Sequence, residues 1–80
     1  MSTTVVVEFT IEPFVEGEPG SHVTAAIAAV EAHGLTVEVG PFGSSFSCPF
    51  AQVGDAVKAL LDAAYGHGAT HVHVHVEPRS

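Results

Sequence analysis

The most constraining feature of this chain is the run Thr70-His71-Val72-His73-Val74-His75-Val76-Glu77, where valine and polar residue alternate without a break. A period of two belongs to a β-strand, whose successive side chains point to opposite faces, so one side is apolar and the other carries three imidazoles. A helix would scatter the same valines around its axis. The segment Thr4 to Glu12 repeats the pattern, with Val5, Val7, Phe9 and Ile11 at one parity and Val6, Glu8, Thr10 and Glu12 at the other. Both strands therefore call for a sheet buried on one face and open on the other.

Helices between these strands can cover the apolar face. Pro13 ends the first strand, and Phe14 to Gly20, with two glutamates, two glycines and Pro19, has the composition of a loop. Ser21 is then placed to cap a helix in which Val23, Ala26, Ile27 and Val30 recur at helical spacing, and Gly34 is the expected residue past its end. Leu35 to Val39 alternates again, and Gly40-Pro41-Phe42-Gly43 has the proline and glycine of a type I turn, which predicts a hairpin with Ser44 to Ser47 as its second arm. Cys48-Pro49 leads into a second helix. There Val53, Val57, Leu60, Leu61 and Ala64 form one stripe, ended by Gly66-His67-Gly68.

The order is strand, helix, strand, strand, helix, strand, the split βαβ pair of an α+β, ferredoxin-like sandwich. Right-handed crossovers place the first and third strands centrally, with the fourth beside the first and the second beside the third, in a four-stranded antiparallel sheet. Both helices then lie on one face, over the odd positions of the first strand and Val72, Val74 and Val76. The other face carries Glu8, Thr10, Glu12, His71, His73 and His75. At 80 residues this is read as a single domain, residues 1 to 80. A domain of this size buries only about 60 to 65% of its chain surface, so self-association is expected.

Composition excludes several partners. Nine acidic residues against Lys58 and Arg79 leave a net charge of −7, with six histidines able to titrate. Two fixed cations cannot form the basic stripe from which nucleic-acid affinity comes, nor a patch for anionic lipid. Such a field concentrates cations instead. The longest apolar run, Ala25 to Val30, is far short of the roughly 18 to 20 residues that span a bilayer. The N-terminus lacks the features of a secretory signal and the single cysteine, Cys48, cannot form an internal disulfide, so a cytoplasmic location is expected.

Glu12-Pro13-Phe14, together with Val30-Glu31-Ala32-His33-Gly34-Leu35-Thr36-Val37-Glu38-Val39-Gly40-Pro41-Phe42-Gly43-Ser44-Ser45-Phe46, resembles the YkoF-like family of small ferredoxin-like proteins that bind thiamine or its hydroxymethylpyrimidine moiety. The most telling pieces are Gly34-Leu35 before the second strand, then Glu38-Val39-Gly40-Pro41 and the hydroxyl residue Ser44 after the turn. The resemblance spans about Val5 to Glu77. Where many family members leave the third strand through Glu-Gly, this chain has Ser47-Cys48. The resemblance implies a non-catalytic binder of thiamine or its pyrimidine, needing no cofactor and assembling as a homo-oligomer, a dimer of dimers joined through its sheets.

Thiamine combines a permanent thiazolium charge with an aminopyrimidine that both donates and accepts hydrogen bonds. Its site calls for carboxylates, hydroxyls and a flat apolar wall. The residues of those types are Thr10, Glu12, Glu38, Ser44, Ser45 and Ser47, with Phe42 and Phe46 as stacking candidates and Gly40 and Pro41 shaping the turn. Either Glu12 or Glu38 would accept from the exocyclic amine or meet the cation, and the serines would bond the ring nitrogens. A bland reading stands beside each: the glutamates as solvated strand carboxylates, Phe46 as core or interface, the glycines and Pro41 as hairpin geometry.

The histidine column suggests a second chemistry. Alternate residues of a strand lie roughly 6.5 to 7 Å apart, near enough for two imidazoles to converge on one metal. His71, His73 and His75, with Glu8 or Glu12 across the strand, form a candidate divalent-metal site, although strand twist works against all three rings meeting. Histidines paired with carboxylates at a subunit interface are the competing reading, and assembly is then expected to depend on pH. His22, His33 and His67 lie at helix ends and need no catalytic reading.

No serine or cysteine has a partner to activate it, no glycine-rich loop cradles phosphate, and carboxylates on a shallow sheet lack the burial that tunes a general acid or base, so no catalysis is expected. A regulatory interaction domain that senses an amino acid is the remaining alternative, disfavoured because its anionic ligand would find almost no cations.

Overall fold

The computed structural model describes residues 3–13, 20–40 and 43–79, and the expectations for Pro41, Phe42 and the loop at 14–19 fall outside them. The elements are β1 (Thr4–Glu12), α1 (Ser21–Glu31), β2 (Glu38–Val39), β3 (Ser44–Pro49), α2 (Phe50–Gly66) and β4 (His71–Pro78). The sheet is antiparallel in the order β2-β3-β1-β4, the ferredoxin-like arrangement expected from the order of elements.

The alternation in β1 becomes burial directly. Val5, Val7, Phe9 and Ile11 are buried while Glu8, Thr10 and Glu12 are exposed. Register carries the same parity across the sheet, pairing Val7 with Phe46 on one side and Val76 on the other. Phe9 and Phe46, diagonal neighbours on this face, pack with ring centroids 6.0 Å apart and planes tilted by 58°, in the range aromatic pairs prefer. Ala26 and Val30 of α1 and Ala56, Leu60 and Ala64 of α2 close the core from above. The small alanines let the helices approach one another closely. Burial of a side chain the size of Leu60 contributes about 1.5 to 3 kcal/mol.

Several boundaries differ from expectation. Gly20, not Ser21, caps α1, because the amides of Val23 and Thr24 both donate to the Gly20 carbonyl and start the helix one residue earlier. Gly34 sits beyond the helix at φ 81°, where a residue with a Cβ would be strained, and its amide donates to the Glu31 carbonyl at 3.0 Å. The expected strand from Leu35 shrinks to Glu38–Val39. Leu35 and Val37 still pack half-buried against the core, but only the last two residues pair with β3. Pro49 ends β3 and caps α2 directly, with no intervening loop.

Val76 departs from its expected place in the core. It is 43% exposed, and Val72 and Val74 are only half-buried, because the helices cover the centre of the sheet and leave its β4 edge partly open. Register at this edge is held at both ends. Thr70 donates to the Glu12 carbonyl through its amide (2.7 Å) and its hydroxyl (3.2 Å), and the Arg79 amide donates to the Thr4 carbonyl at 2.9 Å.

Candidate functional site

The register that builds the core also builds a polar row on the opposite face. Glu38 of β2 pairs with Ser45 of β3, Ser45 with Glu8 of β1, and Glu8 with His75 of β4, so one residue from each strand lines up across the sheet. A concavity of about 580 Å³ runs along this row, lined by residues 8–10, 38–40, 43–45 and 73–75, a size typical of small-molecule sites. Gly43 lets it form. A Cβ there would come within 3.1 Å of the Thr10 methyl and 3.2 Å of the Phe9 carbonyl oxygen. The Gly40 amide donates to the Gly43 carbonyl at 2.7 Å and closes the hairpin beside it.

Of the expected ligand residues, Thr10, Glu38, Gly40, Ser44 and Ser45 line this concavity. Ser47 lies on the open-face parity one step outside it, opposite Val6. Glu12 is also outside: β3 pairs with β1 only as far as Phe9, so among the described residues the end of β1 has no strand partner on its hairpin side. Its carboxylate instead accepts a 3.0 Å hydrogen bond from His73 Nε2. Phe46 is corrected from a stacking candidate to a core residue. It shares the parity of Cys48, is 3% exposed, and faces the helices, away from the concavity. Pro41 and Phe42 lie outside the described residues, so no aromatic side chain is placed on the open side of the site.

Glu8 and His75 were expected as metal ligands and not as part of the thiamine site, though the parity of β1 placed Glu8 on the right face. Choosing among Glu8, Thr10 and Glu12 requires knowing where β3 stops. The fixed cations stand apart from the row: Lys58 pairs with Asp62 on α2 at 2.8 Å, and that carboxylate holds the ammonium above its ordinary value. Among the described residues no lysine or arginine neutralises Glu8 or Glu38. The concavity therefore presents carboxylates, hydroxyls and imidazoles to whatever enters, a composition suited to a cationic, hydrogen-bonding ligand.

The column of His71, His73 and His75 does not gather around one point. His71 Nδ1 shares a 3.2 Å hydrogen bond with the Thr70 hydroxyl, and His73 turns to Glu12. Only His75 belongs to a donor group of three among the described residues, formed with Glu8 and Glu77. Cys48 is buried, and burial pushes its thiol above its ordinary value, the reverse of what a nucleophile needs.

Fold and site together define an α+β sandwich with an acidic concavity across its open sheet face. The family described as "Thiamine-binding protein" matches residues 7–78. The chain belongs to that family, of the YkoF-like type, and a thiamine-related binding role follows from membership.

Solved structures agree on the fold. A domain of unknown function from Bacillus cereus is 25% identical with a TM-score of 0.70, over 99% of this chain and 77% of that one. A protein from Thermotoga maritima is 24% identical with a TM-score of 0.67, over 96% and 83%. A hypothetical protein from Methanocaldococcus jannascii is 22% identical with a TM-score of 0.62, over 98% and 80%. No curated protein matches the sequence. Among the described residues no helix is long and apolar enough to cross a membrane.

Proposed function

We propose that this protein is a single-domain, non-catalytic binder of thiamine or its hydroxymethylpyrimidine moiety, working as a homo-oligomer and using the concavity across the open sheet face. The observation that carries the reading is the row Glu38–Ser45–Glu8–His75, which sets carboxylates and a hydroxyl along a groove of about 580 Å³ in a chain of the thiamine-binding family. Glu38 and Glu8 offer negative charge to the thiazolium, and Ser45 and Thr10 offer hydroxyls to the aminopyrimidine. Thiamine phosphates fit less well, since a phosphate would meet carboxylates in a chain with two fixed cations.

The β4 edge supports the oligomeric part of the reading. It is an outer strand in unbroken register from His71 to Pro78, without lysine, and it exposes Val76. Its outer side, ahead of Glu77 and Pro78, offers a row of backbone groups to which another strand can pair. A second copy of the chain, added there or against the open face, would deepen a concavity that is shallow in one protomer.

Titration calorimetry of the untagged chain with thiamine tests the reading. Saturable binding is expected, weakened about tenfold, or roughly 1.4 kcal/mol, by Glu38→Gln and less by Ser45→Ala. Undetectable binding at about 1 mM thiamine, an affinity weaker than roughly 4 kcal/mol, would sink it. Sedimentation velocity of the same sample reads the assembly.

A further inference from the structure

We infer that Glu8, His75 and Glu77 form a site for a zinc-class divalent cation, which shares Glu8 and His75 with the concavity of the thiamine reading and adds Glu77 beside it. Their donor atoms, one imidazole nitrogen and two carboxylate oxygens, all lie within 4.8 Å of one another. The backbone dictates the gathering. Glu8 is the direct cross-strand partner of His75, and Glu77 follows His75 by two residues on the same face of β4.

The spacing separates this group from ordinary ion pairs on the same face. His73 and Glu12 stand at 3.0 Å, the length of a hydrogen bond, and each satisfies the other. His75 Nε2 and Glu77 Oε2 are 3.9 Å apart, too far for a hydrogen bond between them. Zinc bonds of about 2.0 to 2.2 Å in a tetrahedral site set neighbouring donors roughly 3.4 Å apart. Small rotations of exposed side chains bring this group to that geometry. The donor set is mixed, and the imidazole distinguishes it from an acidic patch that would prefer calcium or magnesium: nitrogen with carboxylate oxygen suits zinc, nickel or cobalt. Three protein ligands leave a fourth position for water, and the net charge of −7 raises the local cation concentration.

The test is zinc chloride titrated into the untagged full chain without thiamine, followed by calorimetry, so that its outcome does not depend on the vitamin. One saturable site is expected, weakened at least about tenfold by His75→Ala and by the shape-conserving Glu77→Gln, while His71→Ala and His73→Ala stay within about twofold. Equal losses in His73→Ala and His75→Ala would assign the metal to the histidine column instead and overturn the site. Undiminished binding in Glu77→Gln, or no saturable binding up to about 1 mM zinc, would also overturn it.

Discussion

The two faces of the one sheet follow the same alternation to opposite ends. On the helix-covered face, Val5, Val7, Phe9, Ile11 and Phe46 find their partners inside the chain, and among the described residues no buried polar side chain interrupts them. On the open face, Glu8, Glu38 and Ser45 lie in register across the strands, yet none of them takes part in a side-chain hydrogen bond among the described residues. The first face uses its residues to hold the fold. The second keeps the polar groups of this row available, which is what a binding surface requires.

The sharpest way to break this contrast is to cross the faces by mutation. Leu60→Ala removes a fully buried side chain from between helix and sheet and is expected to cost about 2 to 5 kcal/mol in urea denaturation. Ser45→Ala on the open face is expected to change stability by less than about 0.5 kcal/mol. A loss of the same size at both positions would mean that the open face also holds the fold.

A finer division lies within the open face. Glu38 lines the concavity and Glu12 does not, so Glu12→Gln should leave thiamine affinity within about twofold while Glu38→Gln lowers it about tenfold. Calorimetry that ranked them the other way would move the site to the end of β1. The His73–Glu12 pair is half exposed or more on both sides, so His73→Ala is expected to change stability by less than about 1 kcal/mol.

The smallest effect concerns Cys48, whose burial holds its thiol protonated to higher pH than in the unfolded chain. The unfolded thiol ionises first, so stability should be level below the ordinary thiol range and fall slightly as pH rises through and above it. Alkylation by iodoacetamide should be slow in the folded protein and fast in urea. Rapid alkylation of the native protein would remove Cys48 from the closed face.

Much of this was legible in the residues, for physical reasons that can be named. The parity of β1 and β4 and the single stripe of α2 gave the elements and their buried faces, and the right-handedness of the crossovers then gave the strand order. Phe46 was harder, because its alternation between serines suits a core residue, an interface residue or a stacking wall alike. The pairing of Phe46 with Val7 decides it. The length of β2 was not legible, since Leu35 and Val37 can pack against a core without joining a ladder. Glu12 and not Glu8 was expected in the thiamine site, and only the last β1–β3 pair, Phe9 with Ser44, reverses that choice.

The clamps at the two ends of β4 have a consequence for how the chain avoids misfolding. A slip of two residues would leave every valine facing the helices and every histidine facing outward, so the repeat is degenerate and neither face would detect the error. It would, however, set His73 opposite Glu8 in place of His75, moving the donors by a full step while the core stayed intact. The amide bonds at the two ends could re-form in a slipped register, whereas the Thr70 hydroxyl on the Glu12 carbonyl depends on its side chain and so acts as an end stop on a ruler whose markings are all alike.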